Sequence, residues 1–314
     1  FEALKELKNL TSLSLEIEEV EDDFLPPQFV PLWENPLKRL ELRINHLLSE
    51  NRTQELIQSL KRLFERRAET LEEFHLDVYD NVSEALLTLG QLKKLRRFYF
   101  DGPKDFGLRK PLESLKSLTK LKEMTLYSSI GKETLHAACM VEELSRLSLM
   151  HCIIGRKEIE EVAATHRFEK LRRLELVEVH EGEPIHLLQL CPNLEELSYS
   201  GFQRSKDEDP IRVIETIQKE KKLKKLELSF GRISLHIASK KEAHLQFLEA
   251  IGALHLPALR QLKVVLFEPP YFDNTLEAKN VVDDFIEMRK KDKEIVARLQ
   301  AQHPDAEISW IVRK

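Results

Sequence analysis

No apolar run in this chain approaches the roughly 18 residues that a membrane-spanning helix needs, so no membrane partner is expected. Glycine is scarce, with nine residues in 314, too few and too scattered to cradle a phosphate. G-x-x-x-x-G-K-S/T, H-E-x-x-H, C-x-x-C and G-x-S-x-G are all missing, and with them the legible routes to phosphoryl transfer, zinc hydrolysis, thiol redox chemistry and acyl transfer. No catalytic residue, metal site or cofactor is therefore expected. Neither sign of charge dominates: 49 Lys and Arg interleave with 54 Asp and Glu, for a net charge of -5. A nucleic-acid partner, which would call for Lys and Arg gathered on one face, is not expected either.

Cysteine is also sparse. Cys139, Cys152 and Cys191 make an odd number, without the paired cysteines that staple secreted domains, which favours an intracellular, reducing location. Asn9-Leu-Thr11, Asn51-Arg-Thr53 and Asn81-Val-Ser83 pull the other way, because each matches the glycosylation acceptor pattern of secreted chains. Both locations stay open, the intracellular one preferred.

What the chain has in abundance is one phrase, L-x-x-L-x-L. It appears as Leu10/Leu13/Leu15, Leu37/Leu40/Leu42, Leu71/Phe74/Leu76, Leu95/Phe98/Phe100 and Leu121/Met124/Leu126. It continues as Leu144/Leu147/Leu149, Leu171/Leu174/Leu176, Leu194/Leu197/Tyr199, Leu223/Leu226/Leu228 and Leu259/Leu262/Val264. Successive starts lie 23 to 36 residues apart. Alternating apolar residues have the period of a strand with one buried face. Between the phrases, 53–68, 157–167, 210–221 and 242–254 carry apolar residues at helical spacing. A unit of one strand and one helix cannot bury its own apolar edge, so neighbours must stack. The pattern resembles a leucine-rich-repeat solenoid of the ribonuclease-inhibitor-like class. That resemblance implies an α/β horseshoe arc with a parallel inner sheet of about ten strands and helices on the convex side.

Two details narrow the resemblance. Leu37 to Leu47 is the fullest match to L-x-x-L-x-L-x-x-N-x-L, and Leu144 to Ile154 is its cysteine form, in which Asn45 or Cys152 satisfies loop backbone groups. The run Leu190-Cys-Pro-Asn-Leu-Glu-Glu-Leu197 is similar to the C-P-N-L-x-x-L turn of F-box leucine-rich-repeat proteins, and His255 to Leu262 is a looser version. This likeness implies a substrate-recognition domain of a ubiquitin-ligase receptor, although no F-box is present. A ligand-sensing or scaffold domain of an innate-immune protein, or a structural subunit of a large complex, uses the same solenoid.

The repeats run nearly from end to end, so 1–314 reads as a single monomeric domain. Residues 1–9 read as part of a first repeat, whose exposed core layer an adaptor or upstream domain would cover. Residues 276–314 read as a capping helix and an edge strand over 307–312, with Trp310 closing the core.

If the phrase leucines point inward, the residues between them form three columns on the concave face. The first alternates charge (Arg39, Glu73, Arg97, Glu123, Arg146) and suggests lateral ion pairs. In the second and third, charge thins out mid-arc, where Tyr99, Tyr127, Met150 and Val177 gather beside His75 and Arg146. Aromatic and methionine side chains next to an arginine have the composition of a protein-binding hot spot. A protein partner on the concave face is expected there, with Arg146 orienting an acidic group. His136 and Cys139 have a spacing a metal could use, but read better as one helix face with Cys139 in the core.

Overall fold

A computed structural model describes residues 8–17, 35–45, 48–102, 113–127, 132–179, 184–200, 210–230, 246, 248–267 and 290–313. Its contacts group into two units, residues 1–171 and 172–314, each described by itself. The first holds strands β1 (Ser12–Ile17), β2 (Arg39–Ile44), β3 (Glu73–Val78), β4 (Arg97–Asp101), β5 (Glu123–Tyr127) and β6 (Arg146–Met150). Each pairs in parallel with the next. Its helices are α1 (Glu50–Arg67), α2 (Ser83–Leu86), α3 (Lys132–Cys139) and α4 (Arg156–Ala163), with 3-10 turns at Leu89–Gln91 and Glu113–Ser117.

The second unit repeats the plan with β7 (Arg173–Val177), β8 (Glu196–Ser200), β9 (Lys225–Phe230), β10 (Gln261–Phe267) and β11 (Glu307–Arg313). The pairings β7 with β8, β8 with β9, β9 with β10 and β10 with β11 are again parallel. A 3-10 helix at Pro184–Leu190, helix α5 (Pro210–Ile217) and helical residues 248–252 and 290–302 accompany them. Each unit is a leucine-rich-repeat solenoid. The first fourteen positions of the expected capping helix lie outside the described residues, as do most of 1–9 and the first part of the helix expected over 242–254.

Why the strands fall in register is visible in the backbone. The carbonyl just before one strand accepts two successive N–H groups from the start of the next. Lys38 O takes Glu72 and Glu73, Glu72 O takes Arg96 and Arg97, and Arg96 O takes Lys122 and Glu123. Arg172, Glu195 and Lys224 do the same in the second unit. Parallel strands cannot be joined by hairpins, so each crossover must return the chain to the same height, and this shared carbonyl marks the height.

The phrase leucines are the core. Leu37, Leu71, Leu95, Leu121, Leu171 and Leu194 are fully buried, and Leu40, Phe74, Phe98, Met124, Leu147, Leu174 and Leu197 are nearly so. Helix α1 closes over them with Leu56, Ile57, Leu60, Leu63 and Phe64, the last meeting Phe74 of β3 edge-on at 5.3 Å between ring centres. Phe74, Phe98 and Phe100 stack onward at 6.3 and 6.4 Å. Offset and edge-on aromatic pairs of this kind add to the area they bury. In β1, by contrast, Leu13 and Leu15 stay half-buried.

Three sequence expectations need correction. Cys152 does serve the backbone, its thiol reaching Leu126 O at 3.1 Å, but Asn45 is exposed and its amide donates to Glu16 Oε1 at 3.0 Å instead. Ser148, expected on the open face, is buried. Trp310 takes the inward register position opposite Val264, yet is only half-buried, because β11 pairs on one side only; its Nε1 is enclosed with no hydrogen-bond partner among the described residues.

Truncating a fully enclosed leucine removes its transfer energy and leaves a void. Leu147→Ala and Leu174→Ala should each destabilise the protein by about 2–5 kcal/mol. Denaturant titration of the two variants checks this, and an unchanged midpoint in both would refute the inward assignment.

Candidate functional site

The face of each sheet opposite the buried leucines carries the three columns in the expected register. In the first unit they align as Ser12, Arg39, Glu73, Arg97, Glu123 and Arg146; as Ser14, Glu41, His75, Tyr99, Thr125 and Ser148; and as Glu16, Arg43, Asp77, Asp101 and Tyr127. The first column is an ion-pair ladder. Arg39 lies 3.6 Å from Glu73, and Arg97 lies 3.0 Å from Glu73 and 3.4 Å from Glu123. In the second unit Arg173 and Lys225 each lie 3.5 Å from Glu196, and one column over Lys263 is 2.6 Å from Glu227. Such exposed pairs contribute well under about 1 kcal/mol each, so they tune register rather than hold the fold. The basic run 219–225 dissolves into the same scheme, its last two lysines pairing with Glu195 and Glu196.

Beside this ladder the rings assemble. His75 and Tyr99, register partners on β3 and β4, lie 3.7 Å apart between ring centres. Tyr99 and Tyr127 lie 5.6 Å apart, and Tyr127 stacks on His151 at 5.7 Å. His151 follows β6 directly and has φ 52°, a left-handed conformation that non-glycine residues seldom adopt. Glu178, the corresponding residue after β7, does the same at φ 47°. Gly102 holds this position after β4, where a Cβ would come within 2.4 Å of the Phe100 ring. A recess of about 240 Å³ opens next to the rings, lined by Glu41, His75, Tyr99, Thr125 and the Arg97 ladder.

Of the six residues expected to bind a partner, three meet: His75, Tyr99 and Tyr127. Met150 ends β6 and Arg146 begins it, both half-buried, Arg146 in register with Glu123. Val177 ends β7, in the second unit, and the site built here is confined to the first. Sequence reading missed His151, because a left-handed residue just past a strand has no period to announce it. It also passed over Asp77 and Asp101, which the third column already contained.

The electrostatics are acidic and partly dry. Burial pushes the His75 imidazole below its usual pKa and outweighs the pull of Glu41, while Arg43 and Arg39 act with burial. Burial likewise raises the Asp77 carboxyl, with Arg43 opposing. Tyr99 is held well above the usual phenol range by burial first, then by Asp101, Tyr127 and Asp77. Glu41 is the exception: burial alone would raise it, but hydrogen bonds from Ser14 and Arg43, with the His75 and Arg43 charges, bring it below the usual range. Arg43 reaches Glu41 at 2.6 Å.

The metal candidate separates. Cys139 is half-buried, its thiol pushed up to about 12 by burial, and both it and the buried Cys152 and Cys191 are free thiols. His136 instead meets His166 with 2.9 Å between their Nε2 atoms, one ring donating to the other. Among the described residues no three metal-ligating side chains gather, and no helix is long and apolar enough to cross a membrane. Asn9, Asn51 and Asn81 are exposed, and Asn81 Oδ1 accepts from the Ser83 amide and hydroxyl at 3.1 and 2.7 Å.

No known protein family and no curated protein matches this sequence. Among solved structures it is similar to a leucine-rich-repeat protein of Leptospira interrogans, at 17% identity and a TM-score of 0.38, over 98% of this chain and 74% of that one. It is also similar to TLR13 in the TLR13–ssRNA13 complex, at 17% identity and a TM-score of 0.38, over 88% of this chain and 39% of that one. The fold itself rests on the registers and burial described above.

His75 gives the site a pH signature. Its folded pKa lies below the 6.5 of an unperturbed histidine, so the folded chain keeps it neutral where the unfolded chain takes up a proton. The stability it contributes is present above pH 6.5 and is lost as pH falls through that value towards the lowered folded pKa. Between about pH 7.5 and 5.5, wild-type protein should lose more of its thermal midpoint than His75→Gln does. Equal losses would show that the ring is not held neutral.

Proposed function

We infer that the chain is a non-catalytic binding module that takes a protein partner on the open sheet face around Tyr99 and Tyr127. The observation that carries this reading is the continuous strip of four rings across β3, β4, β5 and the exit of β6, on the face that the helices leave uncovered. Tyrosine gives a large contact area at small entropic cost, and such rings anchor protein interfaces. Met150, at the end of the next strand, adds an adaptable apolar side chain. Among the described residues no nucleophile, base and orienter are brought together around the recess, which supports recognition over catalysis. Carboxylates next to the rings disfavour a phosphate backbone, which supports a protein partner over a nucleic acid.

The narrower reading, substrate recognition within an F-box-type ubiquitin-ligase receptor, draws on the C-P-N-L turn. That turn has a plain structural duty: Leu190, Cys191 and Leu194 are fully buried and the Cys191 thiol reaches Leu187 O at 3.3 Å. A ligand-sensing or scaffold role in an innate-immune protein, or a subunit role in a large complex, draws on the same open face. An intracellular location fits the free thiols.

Tyr127→Ala and Met150→Arg should each weaken partner binding by about 1–3 kcal/mol while leaving the fold nearly intact, since neither side chain enters the core. Affinity capture from a native lysate compares wild type with the double variant at matched thermal stability. Identical sets of captured proteins would move the binding surface to the helices or loops.

A further inference from the structure

Two histidines that neither the sheet nor the recess uses come together among the helices of the first unit. His136 lies in the last turn of α3, and His166 follows the end of α4. The two helices are neighbours, bridged by the Lys132–Glu161 ion pair at 2.7 Å. The histidine rings cross at 80° with their centres 4.0 Å apart, and their Nε2 atoms are 2.9 Å from one another. They stand 30 positions apart on different repeats, so no local spacing announces the pair. His136 is exposed and His166 half-buried, which leaves the pair within reach of solvent.

The hydrogen bonds around His166 determine which of its nitrogens is free. The Thr165 hydroxyl has one proton and gives it to Val162 O at 3.4 Å, so towards His166 Nδ1, 2.7 Å away, it accepts. His166 Nδ1 then carries the ring proton and Nε2 presents a lone pair. An outer partner on one nitrogen that orients the other is the usual setting of a metal-ligating imidazole. His136 donates its Nε2 proton into that lone pair, and moving the proton to its own Nδ1 frees both Nε2 atoms.

We propose that His136 and His166 chelate one divalent copper or nickel ion through their Nε2 atoms, with water completing its coordination, and that the ion clamps the crossovers of two adjacent repeats. The distance selects the metal. Nitrogens about 2.0–2.1 Å from a shared ion and 2.9 Å from one another subtend about 90° at it, the cis angle of a square-planar or octahedral site. A tetrahedral zinc ion needs them about 3.3 Å apart. Each histidine also lies by the C-terminal end of its helix, where the backbone dipole favours positive charge. Arg167, the nearest cation in sequence, is committed to the carbonyls of Ala163 and His166. The Cys139 thiol, one turn beyond His136, is held protonated by burial and adds no ligand. The clamp is independent of the ring strip and carries no catalytic role.

The test titrates the full chain, freed of metal by a chelator, with copper(II), nickel(II) and zinc(II) chlorides at about pH 7.5, where an ordinary histidine is largely neutral. Calorimetry gives the affinities, and pulsed electron paramagnetic resonance counts the imidazoles on bound copper. The variants are His136→Gln, His166→Gln and Thr165→Val, with His255→Gln as control, because His255 also belongs to a histidine pair, stacking on His303 at 5.9 Å. Thermal midpoints without metal establish that each is folded. One copper ion should bind with two imidazoles, and each of His136→Gln and His166→Gln should remove one imidazole and lower the affinity at least about 10-fold. Thr165→Val should weaken binding without changing the imidazole count, and His255→Gln should change nothing. Copper should raise the thermal midpoint of the wild type and not of His136→Gln or His166→Gln, since only the folded chain brings the two rings together. Unchanged copper affinity in His136→Gln and His166→Gln, or a single imidazole on the wild-type copper, would overturn the proposal. Tighter binding of zinc than of nickel would overturn it as well, because the rings would then have opened to a tetrahedral angle.

Discussion

Everything on the open face depends on one constraint, the fixed height at which each repeat re-joins the sheet. A parallel strand can follow another only after a crossover, and an error of one residue would turn every leucine outward. Within each unit the carbonyl before most strands holds two amides of the next repeat, and the leucine at the head of most phrases is buried. Crossovers vary from the 18-residue helix α1 to a five-residue 3-10 turn, yet the register of the strands they join is unchanged. Variation in the loops is thereby kept away from the columns. That separation is what lets residues from three different repeats act as one surface.

The same constraint explains how much the sequence could reveal. Period-two alternation and the spacing of the phrases determine which residues face inward and which share a column, and the registers follow that reading residue by residue in both units. The ion-pair ladder was legible for the same reason, since it needs only neighbouring positions of opposite charge. What the pattern could not carry is side-chain geometry and everything decided after a strand ends. His75 meeting Tyr99 at 3.7 Å depends on rotamers, and His151 joining Tyr127 depends on a left-handed φ. Ser148 fails the pattern differently: its column position is correct, but neighbouring groups bury it. Trp310 keeps its inward register and still stays half-open, because β11 pairs only with β10. A periodic rule describes interior repeats and loses force at the edge of a sheet.

The rings and the carboxylates come together because of how a parallel sheet arranges one face. Positions two apart on a strand share a face, and positions in register share a row. Placing aromatic residues at His75 and Tyr99 and acids at Asp77 and Asp101 therefore creates two parallel rows, one of rings and one of charges, with Tyr127 at their meeting point. Each row alone is costly. Half-buried rings with water on one side lose contact area, and burial pushes both the Asp77 carboxyl and the Tyr99 phenol up, so each resists ionisation. The first-column arginines Arg39 and Arg97 pair with Glu73 and Glu123, and Arg43, in the acid row itself, reaches back to Glu41. The sheet face therefore neutralises its first row by lateral pairing and sets its rings in the row beside it.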